Sequence, residues 1–165
     1  RTNPIYLALI TDAYSKKIMG YDVSNTLATS GTLRALGMAI KNRMYASKEL
    51  IHHSDRGLQY CSNEYQQLLK KSKITCSMTE AYDPYANAIA ERVNGIIKQE
   101  FLLECHGFDI EIVKSVVKQS VGIYNNLRPH ISCHMSTPNQ THKQNQMKIR
   151  SYKSKSLNKN VLVET

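Results

Sequence analysis

No stretch of this sequence is apolar for anything near the roughly 18 residues that a membrane-spanning helix requires. Nothing at its start follows the charged, apolar, small-residue order of a secretion signal. It also lacks an initiator Met. Arg1-Thr2-Asn3-Pro4 leads directly into a strand-like run, so a fragment of a longer protein is expected. The four cysteines (Cys61, Cys76, Cys105, Cys133) form no CxxC pair. Scattered in this way, without a secretion signal, they read as reduced thiols of a cytosolic protein. There are no internal repeats. Acidic residues are scarce beside basic ones, 13 Asp+Glu against 22 Lys+Arg, for a net charge of +9 and a pI of about 9.4. That surplus points to an acidic partner, of which nucleic acid is the commonest.

What is present is ordinary for a folded protein. The chain of 165 residues is 41% hydrophobic and 21% charged, enough for one domain with a single moderate core and unlike a disordered chain. The charge is uneven. Residues 139–165 hold 6 basic residues and one acidic residue, more than half of the surplus. From Lys143 onward the apolar period is lost, and 142–165 reads as a flexible basic tail on a core of residues 1–141.

Within the core, Ile5–Ile10 and Lys17–Ser24 are β-prone runs flanking a turn-rich segment, the pattern of an antiparallel hairpin. Leu33, Leu36, Ile40 and Met44 recur at helical spacing. Glu49–His53 is a brief strand ending at the turn signal Ser54-Asp-Arg-Gly57. Ser62 fits a helix N-cap ahead of Tyr65, Leu68 and Leu69, and Ile74–Thr79 alternates as a half-buried strand does. A long helix is predicted over 87–104, with the stripe Ile89, Val93, Ile96, Ile97 and Phe101. Gly107 is placed as its stop and Asp109 as the cap of the next helix, whose stripe is Val113, Val116, Val117, Val121 and Tyr124. Arg128-Pro129 ends that helix, and Thr137-Pro138 reads as the start of a short one. The order predicts an α/β fold with a mixed sheet, a hairpin followed by parallel crossovers.

Two carboxylates stand out by setting. Asp55 lies just past the end of a short strand, where open α/β sheets bind ligands. Glu91 lies in the first turns of the long helix. Lys98 is almost two turns further on and near the same face, with Asn87 and Asn94 along that edge and Gly95 keeping it open. A carboxylate with a lysine above it suits Mg²⁺ beside a phosphate backbone, because Mg²⁺ takes one or two carboxylates plus phosphate oxygens.

Thirty-five residues separate Asp55 from Glu91. Four segments occur in order: Tyr6–Tyr21, His53-Ser-Asp-Arg-Gly-Leu-Gln-Tyr60, Asn87-Ala-Ile-Ala-Glu-Arg-Val-Asn-Gly-Ile-Ile-Lys-Gln-Glu-Phe101 and Tyr124-Asn-Asn-Leu-Arg-Pro-His130. Over residues 5–141 the chain resembles the integrase catalytic core, of the type with two Asp and one Glu, of bacterial insertion-sequence transposases, which are related to retroviral integrases. The resemblance implies a ribonuclease H-like fold with a mixed central sheet flanked by helices. It implies DNA transposition or integration by metal-dependent phosphodiester cleavage and strand transfer, a polynucleotidyl transferase using two Mg²⁺ or Mn²⁺ ions. Asp55 and Glu91 correspond to the second and third catalytic and metal-binding acids, and Lys98, Asn94 and Arg56 to candidate DNA contacts. The first acid of such cores lies on an earlier strand, which is expected to be missing from this chain. The chain itself is then expected to bind metal poorly and to be inactive, and its bare hairpin edge to promote association. Ala86 departs from the acidic residue that relatives often carry before Asn-Ala. The implied partners are element ends and target DNA and further copies of the chain, with no membrane, in the cytoplasm and nucleoid of a bacterium.

Plainer readings stand beside these. Asp55 is also good turn chemistry, and Glu91 could be a solvated helical carboxylate. Asp12 is assigned to the hairpin turn rather than to catalysis. His52 and His53 point to opposite faces, one to pack and one to approach the site, with the choice left open. Arg128, Pro129 and His130 could serve only to end and pack a helix. Cys105-His106 and His130-x2-Cys133-His134 match no standard zinc spacing. The basic tail could grip DNA or serve as a linker. The rival function is a non-catalytic DNA-binding or assembly module from a decayed element, and a third reading is a nuclease that hydrolyses without joining.

Overall fold

The computed structural model describes residues 4–78, 87–100 and 109–144. Strands β1 (Tyr6–Thr11) and β2 (Ile18–Ser24) form an antiparallel hairpin. Helix α1 (Thr29–Lys41) follows, then β3 (Ile51–Ser54), α2 (Leu58–Cys61), α3 (Asn63–Lys71) and β4 (Thr75–Met78). Helices α4 (Ala88–Glu100), α5 (Ile110–Asn126) and α6 (Pro138–His142) complete the described chain, with a 3₁₀ turn at Ile131–Cys133. The antiparallel and parallel pairing expected of a mixed sheet is present, divided into two two-stranded pieces: β1 with β2, and β3 parallel to β4.

Alternation along the hairpin sorts its side chains between two helical layers. The pairs Leu7↔Val23, Leu9↔Tyr21 and Thr11↔Ile18 bring Leu7, Leu9, Ile18, Tyr21 and Val23 together with Val93 and Ile97 of α4 and Val113, Val117, Val121 and Tyr124 of α5. The other face holds Gly20 and Asp22 against α1, where Arg34 forks onto the Asp22 carboxylate with both nitrogens at 2.8 Å. Ile18 stays on the α5 face because the register shifts between Ile10 and Thr11. The extra residue at Met19 restores the alternation that a regular ladder would have broken. A second cluster joins Leu36, Tyr65, Leu69 and Ile74 with Ile10, Leu33 and Leu50, packing α1 and α3 around the β3–β4 pair.

The predicted caps are present. Ser62 Oγ accepts from the Tyr65 amide at 3.3 Å, and an Asp109 carboxylate oxygen accepts from the Glu111 amide at 2.8 Å. Thr137 and Gln140 form a reciprocal capping box around Pro138. Helix α1 ends at Lys41, so Met44, expected on its stripe, lies beyond it and is 52% exposed. Ile89 also falls off the buried face of α4, whose core residues are Val93 and Ile97. The predicted end of that helix, Phe101, Gly107 and Cys105-His106, lies outside the described residues, as do the loop at Tyr82–Tyr85, Ala86 and the tail from 145 onward.

Candidate active site

β3 delivers Asp55 directly past its carboxyl end. Ser54 is buried against the sheet in register with Met78, and the next residue emerges exposed. Asp55 Oδ1 accepts the Gly57 amide at 2.9 Å, so the turn role read from Ser-Asp-Arg-Gly is real. Gly57 has a φ of −57°, which any residue adopts, but it leaves room for the Asp55 and Gln59 side chains. A Cβ there would stand 2.9 Å from Asp55 Oδ1 and 2.7 Å from Gln59 Nε2. The second Asp55 oxygen accepts no hydrogen bond among the described residues and faces solvent. Arg56, beside it, is exposed and has an interaction of its own.

The two histidines divide as alternation requires. His52 turns inward, its Nε2 lies 3.0 Å from the Tyr65 hydroxyl and its ring packs 5.6 Å from that ring. Burial, helped by the neighbouring His53, pushes its imidazole down to about 4. His53 is exposed, and its Nδ1 lies 3.0 Å from Ser77 Oγ, the residue opposite it in the parallel ladder.

Glu91 sits in the first turn of α4, on the solvent side of a helix anchored through Val93 and Ile97. Its carboxylate makes no hydrogen bond or ion pair among the described residues. Lys98 is likewise exposed, in the last turn. A Cβ on Gly95 would meet nothing within 4 Å, so this stretch of the helix surface is open. Asn94 is half-buried and donates to the Ala90 carbonyl one turn back at 3.1 Å, which engages one of its two amide N–H groups with its own helix. No three of His, Cys, Asp and Glu gather closely enough to hold a metal ion among the described residues.

Asp12 has another occupation. Its Oδ2 accepts from the Ser15 amide at 2.8 Å and from the Ser15 hydroxyl, and lies 3.3 Å from His142 Nδ1 at the end of α6. Burial alone would raise its pKa, but the bonds from His142 and Ser15 outweigh that and hold it below the ordinary value. This is the turn anchor expected from the sequence, extended by a tie to α6.

The segment from Tyr124 to His130 is a buckle for the same layer. Tyr124 donates to the Lys16 carbonyl at 2.9 Å. Asn125 accepts from the Ile18 amide and donates to its carbonyl, both at 3.0 Å, satisfying both backbone groups where β2 begins. Arg128 grips Glu100 at the end of α4 through two nitrogens, at 2.7 and 2.5 Å. His130 stacks edge-on against Tyr124, its Nε2 buried and without a hydrogen-bond partner among the described residues. Burial, then the charges of Arg128, Lys16 and Arg92, push it down to about 4.

Two family models, each described as an integrase core domain, match the sequence, over residues 1–84 and 72–138. The chain belongs to the integrase core family. Among curated proteins, a putative transposase for insertion sequence element IS986/IS6110 of Mycobacterium tuberculosis (strain CDC 1551 / Oshkosh) is 36% identical over 133 residues, covering 78% of this chain and 48% of that protein. Transposase InsF for insertion sequence IS3A of Escherichia coli K12 is 32% identical over 142 residues, covering 86% and 49%. The chain thus spans about half the length of the curated relatives it matches. Among solved structures, the HTLV-2 integrase catalytic core domain in complex with magnesium (trimeric form) superposes with a TM-score of 0.59 at 20% identity, covering 84% of this chain and 92% of that one. A chain of the simian T-cell lymphotropic virus intasome in complex with a PP2A regulatory subunit gives 0.68 at 20% identity, covering 93% and 54%. The integrase core described here therefore has the ribonuclease H-like fold, within the insertion-sequence branch related to retroviral integrases. No helix among its described residues is long and apolar enough to cross a membrane.

Proposed function

We propose that this integrase core serves DNA transposition by metal-dependent cleavage and joining of phosphodiesters, with Asp55 and Glu91 as catalytic carboxylates. The observation that carries the reading is the exposed Asp55 at the carboxyl end of β3, with one carboxylate oxygen fixed by the Gly57 amide and the other open. Glu91 offers a second exposed carboxylate, without a hydrogen bond or ion pair among the described residues, on a helix anchored through Val93 and Ile97. Two exposed hard-oxygen donors of this kind fit Mg²⁺ or Mn²⁺, which completes its shell with phosphate oxygens and water. Bound there, a pair of such ions would supply positive charge to the attacking and leaving oxygens of an in-line displacement. The turn bond fixes the Asp55 rotamer before substrate arrives, and the core contacts of Val93 and Ile97 hold Glu91's helix in register. Lys98, Arg56 and the second amide hydrogen of Asn94 are the groups proposed to hold the DNA backbone near these acids. Element ends and target DNA are the proposed substrates, in a bacterial cell and its nucleoid, with copies of the chain acting together.

The test is Mn²⁺-dependent nicking and joining of supercoiled plasmid, by this chain and by one extended to the length of its relatives. Asp55→Asn and Glu91→Gln are each expected to remove at least about a hundredfold of whatever activity is seen. Full activity in either variant would sink the assignment. The absence of any three-ligand group among the described residues favours a second reading, a DNA-binding or assembly module without catalysis. That reading prevails if no form acts while all bind DNA. Nicks without new linkages would mark a hydrolytic nuclease.

A further inference from the structure

A groove of about 300 Å³ lies between β2, the end of α1, α5 and α6, and shares no residue with the Asp55–Glu91 site. Its lining has two ammonium groups, Lys17 and Lys118, and no Asp or Glu. Neither ammonium has a hydrogen bond or ion pair among the described residues. Lys143, one residue past α6, is close enough to Lys17 that its charge, after burial, helps hold the Lys17 pKa below its usual value, and the opposing charge of Asp12, which lies outside the groove lining, does not reverse that shift. Like charges kept together this way favour a bound anion.

Four side-chain amides line the groove: Asn125, bonded to both backbone groups of Ile18 as above, and three others that each spend one N–H on the protein. Asn42 donates to the Met19 carbonyl at 2.9 Å, Asn126 to the Gly122 carbonyl at 2.8 Å and Asn139 to Asn126 Oδ1 at 2.6 Å. A primary amide carries two N–H donors, so each has one left for a ligand. Fixed amides beside lysines are the groups that hold DNA phosphates without reading sequence. Gly122 keeps the wall low, since a Cβ there would meet nothing within 4 Å.

We infer that this groove is a second contact for the phosphate backbone of duplex DNA, away from the candidate catalytic acids, with Lys17 and Lys118 neutralising phosphates and Asn42, Asn126 and Asn139 orienting them. The inference rests on the DNA reading proposed above but names a different surface. Binding of a short fluorescein-labelled duplex of mixed sequence, followed by anisotropy without divalent metal across a salt series, tests it on the full chain. Lys17→Ala/Lys118→Ala is expected to weaken binding about tenfold at low salt and to flatten the log–log salt slope by about two. Gly122→Glu, which the open space accommodates, is expected to weaken binding with no loss of thermal stability. Parental affinity and slope in both groove variants would overturn the groove while leaving the DNA reading intact. Failure of the parent chain to bind duplex at any salt would overturn both. A change in self-association by Gly122→Glu at unchanged DNA affinity, seen by sedimentation velocity, would reassign the groove to contact between copies.

Discussion

At the scale of single residues, chain neighbours decide some roles and distant ones decide others. Asp12 and Asp55 each accept a backbone amide within three residues, so their turn chemistry was visible in Asp-Ala-Tyr-Ser and Asp-Arg-Gly. Asn125 is the opposite case. Its two bonds to Ile18 span 107 positions, and nothing in Tyr-Asn-Asn announces them. Gly20 is also set by tertiary contact. A Cβ there would fall on the Ala35 carbonyl oxygen and 2.7 Å from the Ala39 amide nitrogen, both backbone atoms of α1 that no rotamer change can move. Gly20→Ala is therefore expected to cost about 3 kcal/mol by forcing α1 off the hairpin. Urea unfolding followed by circular dichroism would show it, and a cost below about 0.5 kcal/mol would mean the helix shifts freely.

At the scale of elements, alternation or a helical stripe located the hairpin, α1, β4 and α4, a stripe beside a capping residue located α3 and α5, and the Thr137-Pro138 start alone located α6. Helix α2 escaped notice. It is four residues long, has no buried residue and leaves Leu58 89% exposed, so it carries no stripe to read. The end of α3 shows how a poor residue is held in place. Ile74 donates to Leu69 and Lys73 to Lys70, and this closing pattern puts Lys73 at φ 55°, a left-handed conformation suited to glycine. The buried Ile74 holds the turn against that preference. Lys73→Gly is expected to stabilise the protein by about 1 kcal/mol, raising the urea midpoint with the slope unchanged. A destabilised variant would show that the unfolded-state entropy of glycine outweighs the relief of strain.

At the scale of the whole molecule, the order of strands and helices gave the α/β class, while the placement of the two acids relative to each other depends on packing that spacing does not encode. The sequence also left open which of His52 and His53 faces inward, because alternation only makes them opposite. Tyr65, on another element, settles it. That packing has a consequence for the response to pH. His52 and His130 stay neutral in the folded chain down to about 4, held there by burial, whereas an unfolded histidine takes up its proton near 6.5. Between those values the unfolded state binds more protons, so stability falls as the solution is acidified. Each histidine's contribution is fully present above 6.5 and lost as the pH falls through about 4, at most about 3 kcal/mol apiece. Asp12, held below its ordinary value, contributes above that value and is lost only at still lower pH, so it steepens the acid end without moving the onset. The melting temperature is therefore expected to decline steadily from pH 7 to pH 4.5. His130→Phe keeps an aromatic edge against Tyr124 and removes the orphaned Nε2, so it is expected to flatten that decline. Calorimetric scans of the two proteins across this range decide the matter. An equal slope in both would show that His130 exchanges protons freely in the folded chain, and that the α5 buckle around it is open to water.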